Sequence, residues 1–337
     1  LRKEPEWRYQ SAEQLRDDIT RYIDGLPLSE FPDSPPSGAP RTQPISTENS
    51  LAVLPLKLLD VQSGADSGPD YLGTGLADAL ITRLSAVRRF AVRPTSSVLR
   101  YNDDADPILA GRELGVSYVL DGRVRRSGDH IRVTIQLLSV RDGTAVWAGQ
   151  FDERFTDVLS LEDAISASVA EAIVPHLTGD ERIRLAKRGT DDPLAHEAYL
   201  RGRFYWNTFT EDGFAKAIVC YHQAIAVDPN YAVAHAGIAE YYNWLGSYSV
   251  MPFRECSAAA FEAASKAVAI DPILAEGHAA LGQAILTRDF DWASAERQVL
   301  RAIELNPNYA SPRIWYAFQL AMEGRFTESL REALVAR

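Results

Sequence analysis

The chain has 337 residues, 46% hydrophobic and 24% charged, with 35 basic against 46 acidic side chains and a net charge of −11. These are the values of a globular chain long enough for two or three domains, and the acidic balance weighs against a sequence-independent grip on nucleic acid, which needs a basic face. Two cysteines, Cys220 and Cys256, with no Cys-x-x-Cys spacing argue against a disulfide framework or a zinc site and for a reducing compartment. No run of about 18 apolar residues is available to span a membrane and no signal peptide opens the chain, so a cytoplasmic protein is expected.

In chain order, Ser11-Ala12-Glu13-Gln14 has the form of a capping box. Leu15, Ile19, Tyr22 and Ile23 form one apolar stripe after it, and Gly25 is a natural stop. A lone helix of about 13 residues is marginal in water, so the stripe is expected to pack on a domain upstream of Leu1. Residues 29–50, rich in proline and serine, read as a linker. The chain opens without Met and stops inside a helical pattern at 327–337, so a fragment of a longer protein is expected.

The wording from Arg2 to Leu15, Arg-Lys-Glu-Pro-Glu-Trp-Arg-Tyr-Gln-Ser-Ala-Glu-Gln-Leu, resembles the final segment of bacterial serine/threonine protein kinase domains. The resemblance covers under a tenth of the chain and implies that Arg8 pairs with a glutamate of the activation segment. The Gly-rich loop, the lysine strand, His-Arg-Asp and Asp-Phe-Gly have no counterpart in this chain. They are expected upstream, together with ATP and magnesium. No catalytic residue, cofactor or metal is assigned to the chain itself.

Residues 51–178 read as an α/β domain, with a mixed sheet covered by helices in the order β-α-β-α-β-β-β-α. Leu51–Leu56 is a buried-strand run. Leu76, Leu80 and Leu84 mark a helix, with Thr74 expected to cap it. Phe90–Arg93 is a short strand, and Asp106-Pro107 opens a helix that ends at Gly115. Ile131, Val133, Ile135 and Leu137 alternate with Arg132, Thr134 and Gln136, so one face is buried and the other solvated. Asp142-Gly143 is a hairpin turn, and a last helix opens at Ser160.

The alternatives for this region are ordinary structural ones. Gly73-Thr74-Gly75 before a helix is a place to cradle phosphate, but Asp78 stands where a dinucleotide fingerprint needs its third glycine. Arg93–Ser97 reads as a strand end followed by a cap. Arg123, Arg125 and Arg126 read as a solvated strand face. The phrases at 51–56, 72–81, 93–97, 112–122 and 146–152 resemble the TolB amino-terminal-like domain, related to FlgO. That resemblance implies a regulatory or sensory module between an effector domain and helical repeats, with no catalytic residues to carry over.

Residues 179–197 form a charged connector. Beyond it, one phrase recurs: Ala-Ile-Ala-Val-Asp-Pro-Asn-Tyr-Ala at 224–232, Ala-Val-Ala-Ile-Asp-Pro-Ile-Leu-Ala at 267–275 and Ala-Ile-Glu-Leu-Asn-Pro-Asn-Tyr-Ala at 302–310. Pro229, Pro272 and Pro307 cannot continue the helix before them but fit the first turn of the next. A period near 34 residues with this phrase is the tetratricopeptide (TPR) signature. Residues 198–337 therefore resemble an all-α TPR solenoid of three repeats and a fourth cut short. Its groove is expected to be lined by Tyr199, Trp206, Glu240, Asn243, Trp244, Gln283 and Phe318, aromatic side chains among polar ones that suit a protein or peptide partner. His235 and His278 occupy equivalent places and read as helix-packing residues, and the cysteines as small core residues.

The expectation is a regulatory, partner-recruiting region of a bacterial serine/threonine kinase. The same modules in a transcription regulator or adenylate cyclase, or a free-standing TPR scaffold, are the alternatives.

Overall fold

The computed structural model describes residues 49–59, 71–101, 105–248 and 250–336. The kinase-like segment with Arg8 and most of the linker lie outside these residues. The described residues fall into two units, one within Ile45–Tyr309 and the other within Ala310–Arg337.

The larger unit begins with a six-stranded mixed sheet. Strands β1 (Ser50–Val53), β2 (Lys57–Leu58), β3 (Ala91–Val92), β4 (Tyr118–Ser127), β5 (His130–Ser139) and β6 (Ala145–Arg154) are ordered β3-β1-β4-β5-β6, with β2 beside β4. The pairs among β1, β2, β3 and β4 are parallel, whereas β4, β5 and β6 are antiparallel. On β5 the expected alternation is present: Ile131, Val133, Ile135 and Leu137 are buried and Arg132 and Thr134 exposed. The Asp142-Gly143 turn is closed by a Ser139 hydroxyl that donates to Asp142, 2.9 Å away.

Helices α1 (Tyr71–Ser85), α2 (Thr95–Val98), α3 (Pro107–Leu114) and α4 (Val158–Ile173) belong to this part. Leu72, Leu76, Leu80 and Leu84 of α1 and Leu161, Ile165 and Val169 of α4 join the buried strand residues in one core. Asp106 caps α3 through the N–H groups of Ile108 and Leu109, with Pro107 in the first turn. Helix α4 opens at Val158, two residues ahead of Ser160. Thr74 does not cap α1. Buried Leu72 extends the helix back to Tyr71, so Thr74 is its fourth residue and Gly73-Thr74-Gly75 lies inside it.

A short helix α5 (Gly179–Leu185) follows, started by a capping box between Thr178 and Glu181. Then come three helix pairs: α6 (Pro193–Trp206) with α7 (Glu211–Val227), α8 (Ala232–Ser247) with α9 (Phe253–Ile270), and α10 (Ala275–Asp289) with α11 (Trp292–Leu305). Helix α6 starts ahead of Ala198 because Asp192 accepts from the N–H groups of Leu194 and Ala195 and Pro193 fills the first position. The second helices bury the alanines at the repeated positions completely: Ala217 and Ala224 on α7, Ala260, Ala264 and Ala267 on α9, Ala295 and Ala302 on α11. Methyl-sized side chains let helix backbones approach closely, which is why the repeated phrase is rich in them.

Each repeated turn is built in the same way. Asp228 accepts from the N–H of Asn230, Asp271 from Ile273 and Asn306 from Asn308. An Asp or Asn side chain that bonds two residues ahead reverses the chain, and the proline between blocks the helix. His235 and His278 donate to the carbonyls of Pro229 and Pro272, at 3.1 and 3.0 Å. They staple the next helix to the turn before it.

The second unit contains α12 (Ala310–Met322) and α13 (Phe326–Val335). Arg313 pairs with Glu332 at 2.6 Å, and the Ser329 hydroxyl donates to the Ala317 carbonyl.

Candidate functional site

The chemistry of the larger unit is concentrated where the α/β part meets the helix pairs. On α1, Tyr71, Gly75 and Asp78 follow one another at spacings of four and three. His196, Leu200 and Arg203 do the same on α6. Residues so spaced share a helix face. Gly75 permits the crossing: a Cβ added there would stand 3.4 Å from the Leu200 Cβ, so α1 has room for no more than a methyl group.

Two buried ionic links hold this crossing. Asp78 accepts from the Thr95 hydroxyl at 2.5 Å and from Arg203 Nε at 2.9 Å and Nη2 at 3.3 Å. Burial pushes the Asp78 carboxyl up, but the Arg203 charge and the hydrogen bonds outweigh it and hold the group below its ordinary value. The other edge of the guanidinium reaches Glu240 on α8 at 3.5 Å. Arg203 therefore joins the α/β part, the first helix pair and the second.

In the other link, fully buried Glu162 of α4 pairs with His196 Nε2 at 2.8 Å and with Arg83 Nε at 3.3 Å. His196 Nδ1 lies 3.0 Å from the Tyr231 hydroxyl. Arg83 also bonds Asp163, which takes Arg188 Nε at 2.7 Å. Ion pairs this far from water cost much to break by removing one partner. Tyr71 adds an outer contact, donating to Glu197 at 2.5 Å beneath the Arg201 guanidinium. Burial first, then Glu197, pushes the Tyr71 phenol up to about 12.

All three repeated turns touch the α/β part or its connector. Thr190 donates to Asp228 at 2.6 Å, and Lys187 pairs with Asp271 at 2.5 Å. Asn308 donates to the carbonyls of Ser85 and Phe90, both at 3.1 Å, at the end of α1. Arg88 reaches the Glu304 carbonyl beside it. Asn308→Ala strands these carbonyls and is expected to lower stability by about 1–3 kcal/mol, read as a fall in the urea midpoint at unchanged slope.

The expected groove residues fall into distinct environments. Glu240, Gln283 and Phe318 are the ninth residues of α8, α10 and α12, as the repeat phase requires. Glu240 is half-buried beside Arg203. Asn243 is buried and donates to the Ala280 carbonyl of α10 at 3.0 Å, and Gln283 is buried as well. Tyr199 packs on Tyr221 and Tyr231. Trp206, 4% exposed, is a core side chain packed on Phe214 and Trp244. Trp244 is half-buried and stacks on Tyr248 at 4.0 Å between ring centroids. Phe318 is exposed in the 310–337 unit.

Sequence reasoning missed Arg203, Asp78, His196 and Glu162. The only local sign was the matched spacing on two helices more than a hundred residues apart. Among the described residues no group of His, Cys, Asp or Glu is placed to hold a metal ion, and no helix is long and apolar enough to cross a membrane.

Comparison with known proteins bears on both parts. "Putative adenylate cyclase 3" of Rhizobium meliloti (strain 1021) is 32% identical over 207 residues, 61% of this chain and 35% of that protein. The chain thus spans about a third of the length of that curated relative. The crystal structure of TolB from Acinetobacter baumannii aligns with 40% of this chain and 30% of its own at 16% identity and a TM-score of 0.30. MamA MSR-1 aligns with 54% of this chain and 92% of its own, also at 16% identity and 0.30. Scores of this size are too low to carry an argument. Residues 47–168, which contain the whole sheet, match the family described as the second domain of HilA/YgeH-like transcriptional regulators.

Proposed function

We propose that residues 45–309 act as a non-catalytic regulatory and protein-interaction region of a bacterial cytoplasmic signalling protein. The helix pairs are TPR repeats that recruit a protein partner or substrate. One observation carries this reading: a regulator-type α/β domain is tied by the buried Asp78–Arg203–Glu240 link to helices that present Tyr199, Glu240 and Trp244. A change in the α/β domain has a direct mechanical route to that surface. Recruitment itself raises the local concentration of substrate at the effector.

The effector in this reading is a serine/threonine kinase, with ATP and magnesium held upstream, on the strength of residues 2–15. The relative bearing an adenylate cyclase name favours a second effector. The test is activity of the parent protein with and without residues 191–337. Under the kinase reading, deletion leaves autophosphorylation intact and raises KM for the protein substrate about ten-fold or more. Trp244→Ala produces part of the same rise. Cyclic AMP formation from ATP with no phosphotransfer to protein replaces the kinase by the second effector. An unchanged KM removes the recruitment role.

A further inference from the structure

We infer that the surface formed by α8 and α10 beside Arg203 receives a basic side chain, arginine or lysine, from an extended segment of the protein partner. The inference rests on the protein-interaction reading above and adds the chemistry of what is bound.

The geometry sets two carboxylates, Asp78 and Glu240, against one cation. Arg203 spends Nε and Nη2 on Asp78, which is buried. Only Nη1 is left for Glu240, at 3.5 Å, whose side chain is 27% exposed. Glu276, half-buried at the start of α10, feels the charges of both Asp78 and Arg203 but makes no ion-pair contact among the described residues. Burial pushes the carboxyls of Glu240 and Glu276 up, against the lowering effect of Arg203.

A second observation is independent of these carboxylates. The Tyr221 hydroxyl is fully buried and has no hydrogen-bond partner among the described residues, although Arg203, Glu240 and Asp78 all act on it. A buried hydroxyl left so is uncommon and costly. Among the described residues Asn243 Oδ1 and Gln283 Nε2 are also buried and without partners, an acceptor on α8 and a donor on α10. Glu276, Ala280 and Gln283 share one face of α10, and Asn243 already bonds the Ala280 carbonyl. The two helices are therefore in contact along this line.

Charge complementarity decides the occupant. Residues 191–337 hold 18 acidic against 12 basic side chains, so the excess negative charge is general as well as local. A guanidinium or ammonium would meet Glu240 and Glu276, with its stem along the rings of Tyr199 and Trp244. An acidic segment would meet three carboxylates and a cation that is already engaged.

The test uses the 337-residue chain and fluorescein-labelled eight-residue peptides in which alanine alternates with arginine, glutamine or glutamate, followed by anisotropy at about 50 mM salt. The arginine peptide is expected to bind. Glu240→Gln with Glu276→Gln should weaken it about ten-fold. Glu211→Gln with Asp212→Asn makes the same charge change on exposed residues at the start of α7 and should leave binding within about two-fold. Equal loss in both variants would mean attraction to net charge alone and would overturn the inference. If the glutamine or glutamate peptide binds instead and Trp244→Ala abolishes it, the basic-ligand inference falls while protein recruitment stands. Binding of none of the three removes both. The folding control is the melting temperature of Glu276→Gln alone, which breaks no ion pair among the described residues and should not fall; that variant should by itself weaken the arginine peptide about three-fold or more.

Discussion

Arg203→Met is expected to destabilise the 45–309 unit by about 3–5 kcal/mol, the cost of leaving a buried charge without its partner. The Asp78 carboxylate would keep the Thr95 hydroxyl and the Asn207 side chain but no cation among the described residues, and Glu240 would lose the Arg203 contact. Chemical denaturation should show a lower midpoint and, if the α/β part and helix pairs part company, two transitions in place of one. The double change Asp78→Val with Arg203→Met should recover much of the loss, because an apolar pair has no desolvation cost.

The pH dependence has a definite sign. The folded Asp78 carboxyl lies below its ordinary value, so its contribution is fully present above the unfolded pKa of about 4. It is lost as pH falls through the folded value. In Arg203→Met burial acts on Asp78 without the cation, its folded pKa rises, and acid should relieve the defect. A variant with the same acid limb as the parent would show that Asp78 is not held by Arg203.

Tyr221→Ala is expected to cost about 3–5 kcal/mol, as for other large aromatics removed from a core. The ring is completely buried and sits in a slot that two glycines make. A Cβ on Gly202 would lie 2.5 Å from one edge of the ring, and a Cβ on Gly237 would lie 3.0 Å from the other. The slot joins α6, α7 and α8, so the cavity would open between the first two helix pairs. Tyr221→Phe separates ring from hydroxyl. The hydroxyl has no hydrogen-bond partner among the described residues, so its removal should be neutral or stabilising by up to about 1 kcal/mol. A large loss in Tyr221→Phe would mean that the hydroxyl is bonded in solution. Differential scanning calorimetry on the two variants decides the matter.

Much of the fold was legible because its signals are local. Asp106-Pro107 with Gly115 bracketed a helix, the alternation at 131–137 gave β5 its two faces, and the Asp/Asn-Pro phrase located three turns and the alanines before them. Where reading failed, a competing signal was stronger. Thr74 looked like a cap, but the burial of Leu72 carries α1 one turn further back. Ala198 looked like the start of a repeat, but the Asp192-Pro193 cap opens α6 earlier.

The candidate groove was legible only as a phase. Counting from the prolines placed Glu240, Gln283 and Phe318 at one helical position, and that position is common to their three helices. The count could not tell that Trp206 would be core, because an aromatic at a groove position and one packed between helices have the same spacing.

By itself the sequence determined most of the elements, the cap at Asp106-Pro107 and the repeated turns, since these depend on residues within about four positions of one another. Only the tertiary structure decided that Asp78 meets Arg203 across 125 residues and that Glu162 meets His196 across 34. It likewise decided that Asn308 closes the end of a helix more than two hundred residues before it. A carboxylate bound for a buried ion pair is written with the same letter as one bound for solvent. Its fate is set by which helix faces are brought together when the apolar surface of α1 is buried, and no local pattern carries that choice.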